Sequence, residues 1–513
     1  MGRIQHAAKN IAFGYIGNIS STILGFLLRS VFILKLDATL LGVNGLYSGV
    51  LTMLSLAELG IGTALNYSLY APVARKDEEK IKSYMAYYKK AYRMIAMIIL
   101  VMGIILVPFL KYFIKNPGNY GEKELILYYL IFLFNTVSTY FVSYKYSIVN
   151  AEQKNYIQTN ILTVTKLLTT LLQILILLFT ANFLFYLLAA AFVELAQKIY
   201  VNYYFNKRYP YLREKKIQEL SREEKQDIIS KTKALVYHKV GDVMRLQTDS
   251  IIISSFIQVA VVGIVDNYLM VINSISAFSN VVFNSVISSF GNLIATENEE
   301  KQYEVFQVYR FVAGWFYGLS AMGFLLLLSP LIYLWFGEGW LLAGSIVNLI
   351  LIDYYFKGER IVLSNFKTAA GVFEQDKYLT LIQGIVNLVI SIWLVLKIGL
   401  AGVYIGTIIS GWIANITKPV IIYKVCFHRG AGEYFIKGLK QLIVMGVIYA
   451  VCFMTAKVLL QEITIVSFVL MGIAIVVIFH IIFLGVYWKT KEMKYLWKIL
   501  EGKLKGRKKS LVK

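Results

Sequence analysis

Two arginines stand where arginine is costly. Arg29 sits in residues 24–36, LGFLLRSVFILKL, and Arg245 in the stretch from Val240, VGDVMRLQTDSIIISSFI, so the spacing Gly25-x-x-x-Arg29 recurs later as Gly241-x-x-x-Arg245. A guanidinium keeps its charge at any working pH and is expensive at membrane depth, so it faces protein, water or an anionic ligand there. Its planar fork makes paired, charge-assisted bonds to phosphate oxygens, which suits these residues to gripping a pyrophosphate. Lys166, two turns into a later apolar run, is a third candidate as a point charge. Each has a structural alternative: an inter-helix pair with Glu58 for Arg29, neutralisation by Asp242 and Asp249 at i−3 and i+4 for Arg245, and snorkelling to headgroups for Lys166 and Lys145.

Among acids, Glu58, Glu194, Asp249, Asp266 and Asp353 fall inside apolar runs, where a carboxylate is paired, protonated or part of an ion site. Asp249 is the coupling candidate for H+ or Na+, followed by Glu58, with Asn387 and Thr407 as oxygen ligands from later helices. Catalytic chemistry finds no support. The four histidines, His6, His238, His428 and His480, are scattered, and neither HExxH, GxxxxGK[ST] nor GxSxG occurs. Cys426 and Cys452 are the only cysteines, which leaves no disulfide framework and no thiolate metal site. The expectation is a protein that is not an enzyme and carries no cofactor.

Membrane helices must position these residues. Of 513 residues 58% are hydrophobic and 16% charged, with apolar runs of about 20 residues from end to end. About fourteen spans are predicted, at 11–35, 41–69, 92–113, 125–149, 157–180, 183–205, 235–257, 261–293, 306–334, 341–366, 379–398, 401–424, 435–460 and 463–488. Several exceed what a bilayer needs, which predicts tilt, protruding ends or kinks. The net charge of +22 follows topology rather than nucleic acid, because alternate loops hold it. With the N-terminus inside, about 44 basic residues fall on the cytoplasmic side, and only Lys35, Lys111, Lys115, Lys123, Lys397 and Lys457 on the other. Both termini are therefore expected inside, the first span reading as an uncleaved signal anchor after a start without a myristoylation signal. Most of the 37 tyrosines cluster at span ends and read as interfacial belts.

The fold class is thus an all-α polytopic membrane protein with two six-helix lobes and two further C-terminal helices. The lobes are 1–205 and 235–424, joined by an amphipathic inner-surface linker at 206–234; the last pair lies in 425–488, followed by a basic tail at 489–513. The repeat extends past the arginines: residues 41–47, LGVNGLY, answer to residues 262–268, VGIVDNY, each opening a long second span. An even number of helices separates them, so the lobes are related by a pseudo-two-fold axis along the membrane normal.

Residues 40–72, LLGVNGLYSGVLTMLSLAELGIGTALNYSLYAP, resemble the second-helix signature of the polysaccharide-repeat flippases (Wzx type) of the multidrug/oligosaccharidyl-lipid/polysaccharide exporter superfamily. The DSIIISSF and VGIVDNY segments within 249–268 resemble the start of that family's second lobe, and 371–378, GVFEQDKY, its later inner loop. The resemblance implies a MATE-like fold in the bacterial cytoplasmic membrane. It also implies alternating-access movement of undecaprenyl-pyrophosphate-linked oligosaccharide from the inner to the outer leaflet for envelope polysaccharide synthesis. Partners would be membrane lipids and the glycosyltransferases and polymerase of the same pathway. Related lipid-linked peptidoglycan flippases carry an acid-rich sodium site in the second lobe, and this chain departs from it with Asn387 and Ser391. A cation-coupled multidrug exporter and a peptidoglycan-precursor flippase are the alternatives within the superfamily, and a non-transporting scaffold the alternative outside it.

Overall fold

The computed structural model describes the backbone of residues 3–58, 61–214, 217–372, 374–376 and 378–510. The side chains of 3–16, 56–57, 63, 231, 233–239, 242, 245–246, 500 and 502–510 lie outside the described part. The side chains of Arg245, Asp242, His6 and His238 are therefore not described. The described chain is α-helix joined by short turns, some of them 3₁₀, with no strand.

Two compact units divide it, 1–266 and 267–513. The first contains α1 (Arg3–Lys35), α2 (Ala38–Leu54), α3 (Ile61–Arg75), α4 (Glu78–Leu106), α5 (Leu110–Phe113), α6 (Glu122–Ser143), α7 (Tyr146–Ala151), α8 (Asn155–Thr180), α9 (Phe183–Arg208), α10 (Arg222–Leu246) and α11 (Thr248–Phe256). The division falls inside α12 (Val259–Asn284). The second unit continues with α13 (Ile287–Thr296), α14 (Glu299–Phe336), α15 (Gly344–Glu359), α16 (Ile361–Ala370), α17 (Leu379–Ile398), α18 (Leu400–Cys426), α19 (Gly432–Leu459), α20 (Ile465–Tyr487) and α21 (Lys491–Ser510). Polar residues in the short connections start the helices. Asp37, Asp77, Asn182 and Asn298 each accept from a backbone N–H three residues on, and Ser221 with Glu224 closes a reciprocal cap.

Among the described residues, eleven helical segments are long and apolar enough to cross a membrane. The other three predicted spans arrive as pairs of shorter helices: α2 and α3 around the 3₁₀ turn Ser55–Glu58, α10 and α11 at Gln247, and α15 and α16 at Arg360. Hydropathy measures apolar content but not the continuity of backbone hydrogen bonding, which is why these breaks escape it. At the first break Ser48, Thr52 and Ser55 each donate back to the carbonyl four residues earlier, a pattern that bends helices. Thr248 does the same to Met244 O at the second. The expected linker at 206–234 is not separate from the seventh span either, because α10 runs through both. The segment before α10 is tied to α4 by the ion pair Lys82–Glu214 at 2.6 Å, and the first turn of α10 by Lys80–Glu224 at 2.5 Å. The Lys80 ammonium holds the Glu224 carboxyl below its usual range.

Outward faces are apolar, as hydrocarbon demands: Leu27, Leu168, Phe192, Leu396 and Ile473 are exposed. The interior corrects one expectation. Tyr47, Tyr88, Tyr129, Tyr268 and Tyr423 are among the largest fully buried side chains, so tyrosine builds core as well as belts. Tyr47 donates to Leu125 O at 2.8 Å and Tyr129 to Gly103 O at 3.1 Å, so each ring fills space while its hydroxyl stays paired.

The repeat has a physical counterpart in the first unit. A Cβ on Gly42 would lie 1.8 Å from Val259 O, and one on Gly263 only 2.8 Å from Gly42 N. Gly42 and Gly263 are equivalent residues of LGVNGLY and VGIVDNY, and they bring the backbones of α2 and α12 into close approach. Glycine is required here by backbone approach. Gly42→Ala is expected to cost about 1–3 kcal/mol through overpacking, read by unfolding of the detergent-solubilised protein. An unchanged midpoint would mean that the two helices separate readily.

Candidate functional site

The site assembles from α1, α2, α6, α8, α9 and α12 within the first unit. α1 runs along α8, and Phe32, buried one turn after Arg29, packs edge-on against Tyr186 and Phe183 of α9 at 5.4 and 5.9 Å. That contact sets the depth of Arg29. The guanidinium has Asp266 of α12 and Tyr186 as its electrostatic neighbours, and its Nη1 is buried with no hydrogen-bond partner. Asp266 in turn lies against α2, its Oδ2 2.2 Å from where a Cβ on Gly45 would stand. The carboxylate facing Arg29 is therefore Asp266, and not Glu58, which accepts from Tyr92 Oη at 3.0 Å.

Tyr186 also lines a cavity of about 300 Å³ beside this pair. α2 contributes Asn44, Ser48 and Thr52, α6 contributes Asn135, Thr136 and Thr139, α8 contributes Gln173, and α9 adds Glu194. The hydroxyls of Ser48, Thr52, Thr136 and Thr139 spend their protons on carbonyls of their own helices, which leaves oxygen lone pairs for a ligand. Asn135 Oδ1 is buried without a partner. Gln173 is held by donation to Tyr186 O at 3.3 Å. Lys198, one turn after Glu194, is buried and donates to Asn135 O at 3.0 Å and Ser138 Oγ at 2.7 Å, with Glu194 3.5 Å away. The walls thus present acceptors to anything carrying O–H or N–H donors, and Arg29, a neighbour of the wall residue Tyr186, lies behind the lining rather than in it.

The remaining predicted residues lie elsewhere. Lys166 is exposed on α8 and has no hydrogen bond or ion pair among the described residues. Lys145 is buried rather than snorkelling, donating to Asn202 Oδ1 at 2.5 Å and Asn206 Oδ1 at 3.0 Å. Asp249 is half-buried in the first turn of α11, where a helix N-terminus favours a carboxylate. Asp353 pairs with Lys357. In the second unit Asn387 and Thr407 do meet: Asn387 Nδ2 donates to Thr407 Oγ1 at 3.0 Å, both fully enclosed between α17 and α18. Gln383 to Ser410 O at 2.9 Å and Ser391 to Val403 O at 3.1 Å continue the same seam. Hydrogen bonds of this kind join helices in lipid. Asn387→Ala is expected to cost about 1–3 kcal/mol by removing the buried amide that donates to Thr407 Oγ1, although the Thr407 hydroxyl keeps its own donation to Val403 O at 3.2 Å. Asn387→Leu with Thr407→Val should cost less than either change alone, measured by unfolding in detergent.

Sequence reasoning missed Asn135 and Gln173, whose short polar side chains do not interrupt an apolar run, and it counted Arg310 and Arg360 with the span ends. Both of these arginines are buried.

No family model matches the sequence, and no curated protein is similar to it. Solved structures are. The inward-closed lipid II flippase MurJ superposes with a TM-score of 0.64 at 16% identity, over 93% of this chain and 99% of that one. An inward-facing multidrug resistance MATE family transporter of the MOP superfamily gives 0.59 at 17% identity, over 78% of this chain and 92% of the other. At such identities the likeness is one of fold. This chain is a multi-pass membrane protein with the helical fold shared by MATE transporters and the lipid II flippase MurJ.

Proposed function

We propose that the protein is a flippase that moves undecaprenyl-pyrophosphate-linked oligosaccharide from the inner to the outer leaflet of a bacterial cytoplasmic membrane by alternating access, with both termini inside. The observation that carries this reading is the partnerless Nη1 of Arg29 beside a cavity walled by hydroxyl and amide acceptors. A pyrophosphate would give Nη1 the charge-assisted hydrogen-bond partner that it lacks, and sugar hydroxyls would supply donors for the walls. Crossing hydrocarbon is prohibitive for such a headgroup, whereas its lipid tail can remain in the bilayer. The likeness of fold to the lipid II flippase MurJ supports a lipid-linked substrate. In this reading Arg245 and Lys166 are further phosphate ligands, and Asp249, Glu58, Asn387 and Thr407 are coupling candidates for H+ or Na+.

Glu194 on the cavity wall favours a second reading, export of an organic cation coupled to an ion gradient. The two separate in proteoliposomes containing the purified chain. Undecaprenyl-pyrophosphate-linked oligosaccharide should become accessible on the far leaflet to an added glycosidase, and ethidium should not accumulate. Gradient-driven ethidium uptake without lipid translocation would replace the first reading with the second.

A further inference from the structure

After the last apolar helix, α20, the chain turns through Trp488 and Lys489 and re-enters helix at α21, where Thr490 Oγ1 accepts from Met493 N at 3.4 Å. One face of α21 docks on the second unit. Met493 is buried, Glu492 accepts from Lys437 Nζ at 2.8 Å, and Lys301 Nζ sits 5.0 Å from the centre of the Tyr495 ring. Docking turns the opposite face outward, with Lys494, Trp497, Lys498 and Glu501 aligned at i, i+3, i+4 and i+7. Trp497 meets Trp488 edge-to-face at 5.3 Å, and with Lys489 these residues line a cup of about 360 Å³.

Three features bear on what fills this cup. The ammonium groups of Lys489, Lys494 and Lys498 have no hydrogen bond or ion pair among the described residues, so the cup is lined by three such groups and one carboxylate, Glu501. Trp488 caps α20, a helix long and apolar enough to cross a membrane, and Trp497 of α21 packs against it, at an end where indole prefers the headgroup layer. The chain immediately beyond, KLKGRKK, adds further positive charge. We propose that this cup binds the phosphate of an anionic phospholipid, with the lysines around the phosphate and the indoles packed between glycerol and upper acyl chain. The site belongs to the second unit, is separate from the Arg29 cavity and does not depend on the transported substrate.

The test uses the full chain in detergent, titrated with phosphatidylglycerol or phosphatidylcholine and read by native mass spectrometry. The wild type should retain one phosphatidylglycerol more tightly than phosphatidylcholine by on the order of ten-fold or more, falling with salt. The triple variant Lys489→Gln, Lys494→Gln, Lys498→Gln should lose that one lipid, and the triple Lys→Arg variant should keep it. Trp488→Leu with Trp497→Leu should weaken both lipids while leaving part of the preference. Competition by millimolar glycerol phosphate would reassign the cup to free phosphates. An unchanged preference in the glutamine variant, at an unchanged melting temperature, would overturn the proposal.

Discussion

Arg29→Ala is expected to reduce translocation of the lipid-linked oligosaccharide at least ten-fold while leaving the protein inserted and stable. Charge-assisted hydrogen bonds are worth about 1.5–3 kcal/mol each, so losing one already spans about ten- to a hundred-fold. Arg29→Lys should recover part of the rate, because it restores charge but not the two-pronged fork. The stability readout separates function from architecture. A guanidinium whose Nη1 has no partner contributes little to the fold, whereas one serving as a helix-to-helix clamp leaves Asp266 buried and uncompensated when removed. Arg29→Ala protein that melts several degrees lower, with translocation rescued by Asp266→Asn, would make the arginine structural. Intact translocation in the stable variant would remove the pyrophosphate reading altogether.

What could be read from the sequence followed from what the membrane imposes. Hydrocarbon forces about 20 apolar residues per crossing, so the long helices stand out, and Asp, Asn and Ser in the short connections announce their starts. The LGVNGLY and VGIVDNY echo pointed to Gly42 and Gly263, which touch. Arg29 was conspicuous because nothing on its own helix could answer its charge. Asp266 as its neighbour was not legible, since it lies more than two hundred positions away in sequence and only a fold brings it to Gly45. The breaks at Gln247 and Arg360 were likewise hidden. The acceptors of the cavity were hidden for another reason: serine and threonine satisfy their own helix and so pass for neutral filler, although their free lone pairs make the wall.

Arg310 shows the cost of judging a charge by its distance from a span end. It is only 4% exposed on α14, and Nη2 donates to Glu359 Oε1 and to Tyr434 O, both at 2.9 Å. Its guanidinium lies 3.7 Å from the Tyr434 ring centre, so α14, α15 and α19 converge on one cation. Arg310→Met is expected to cost about 3–5 kcal/mol of unfolding free energy, because Glu359 would remain enclosed as an uncompensated charge. Glu359→Leu alone should cost a similar amount, with Arg310 the stranded partner. Tyr434→Leu should cost about 2 kcal/mol beyond its lost packing, the worth of a desolvated cation–π contact. The double variant Arg310→Met, Glu359→Leu carries the argument, because two apolar side chains of similar size remove both desolvation penalties together. It should regain most of the loss of either single variant in equilibrium unfolding from detergent micelles, giving a coupling of several kcal/mol. Additive losses would mean that water reaches the pair and screens it, and that packing rather than charge pins α19 to the rest of the second unit.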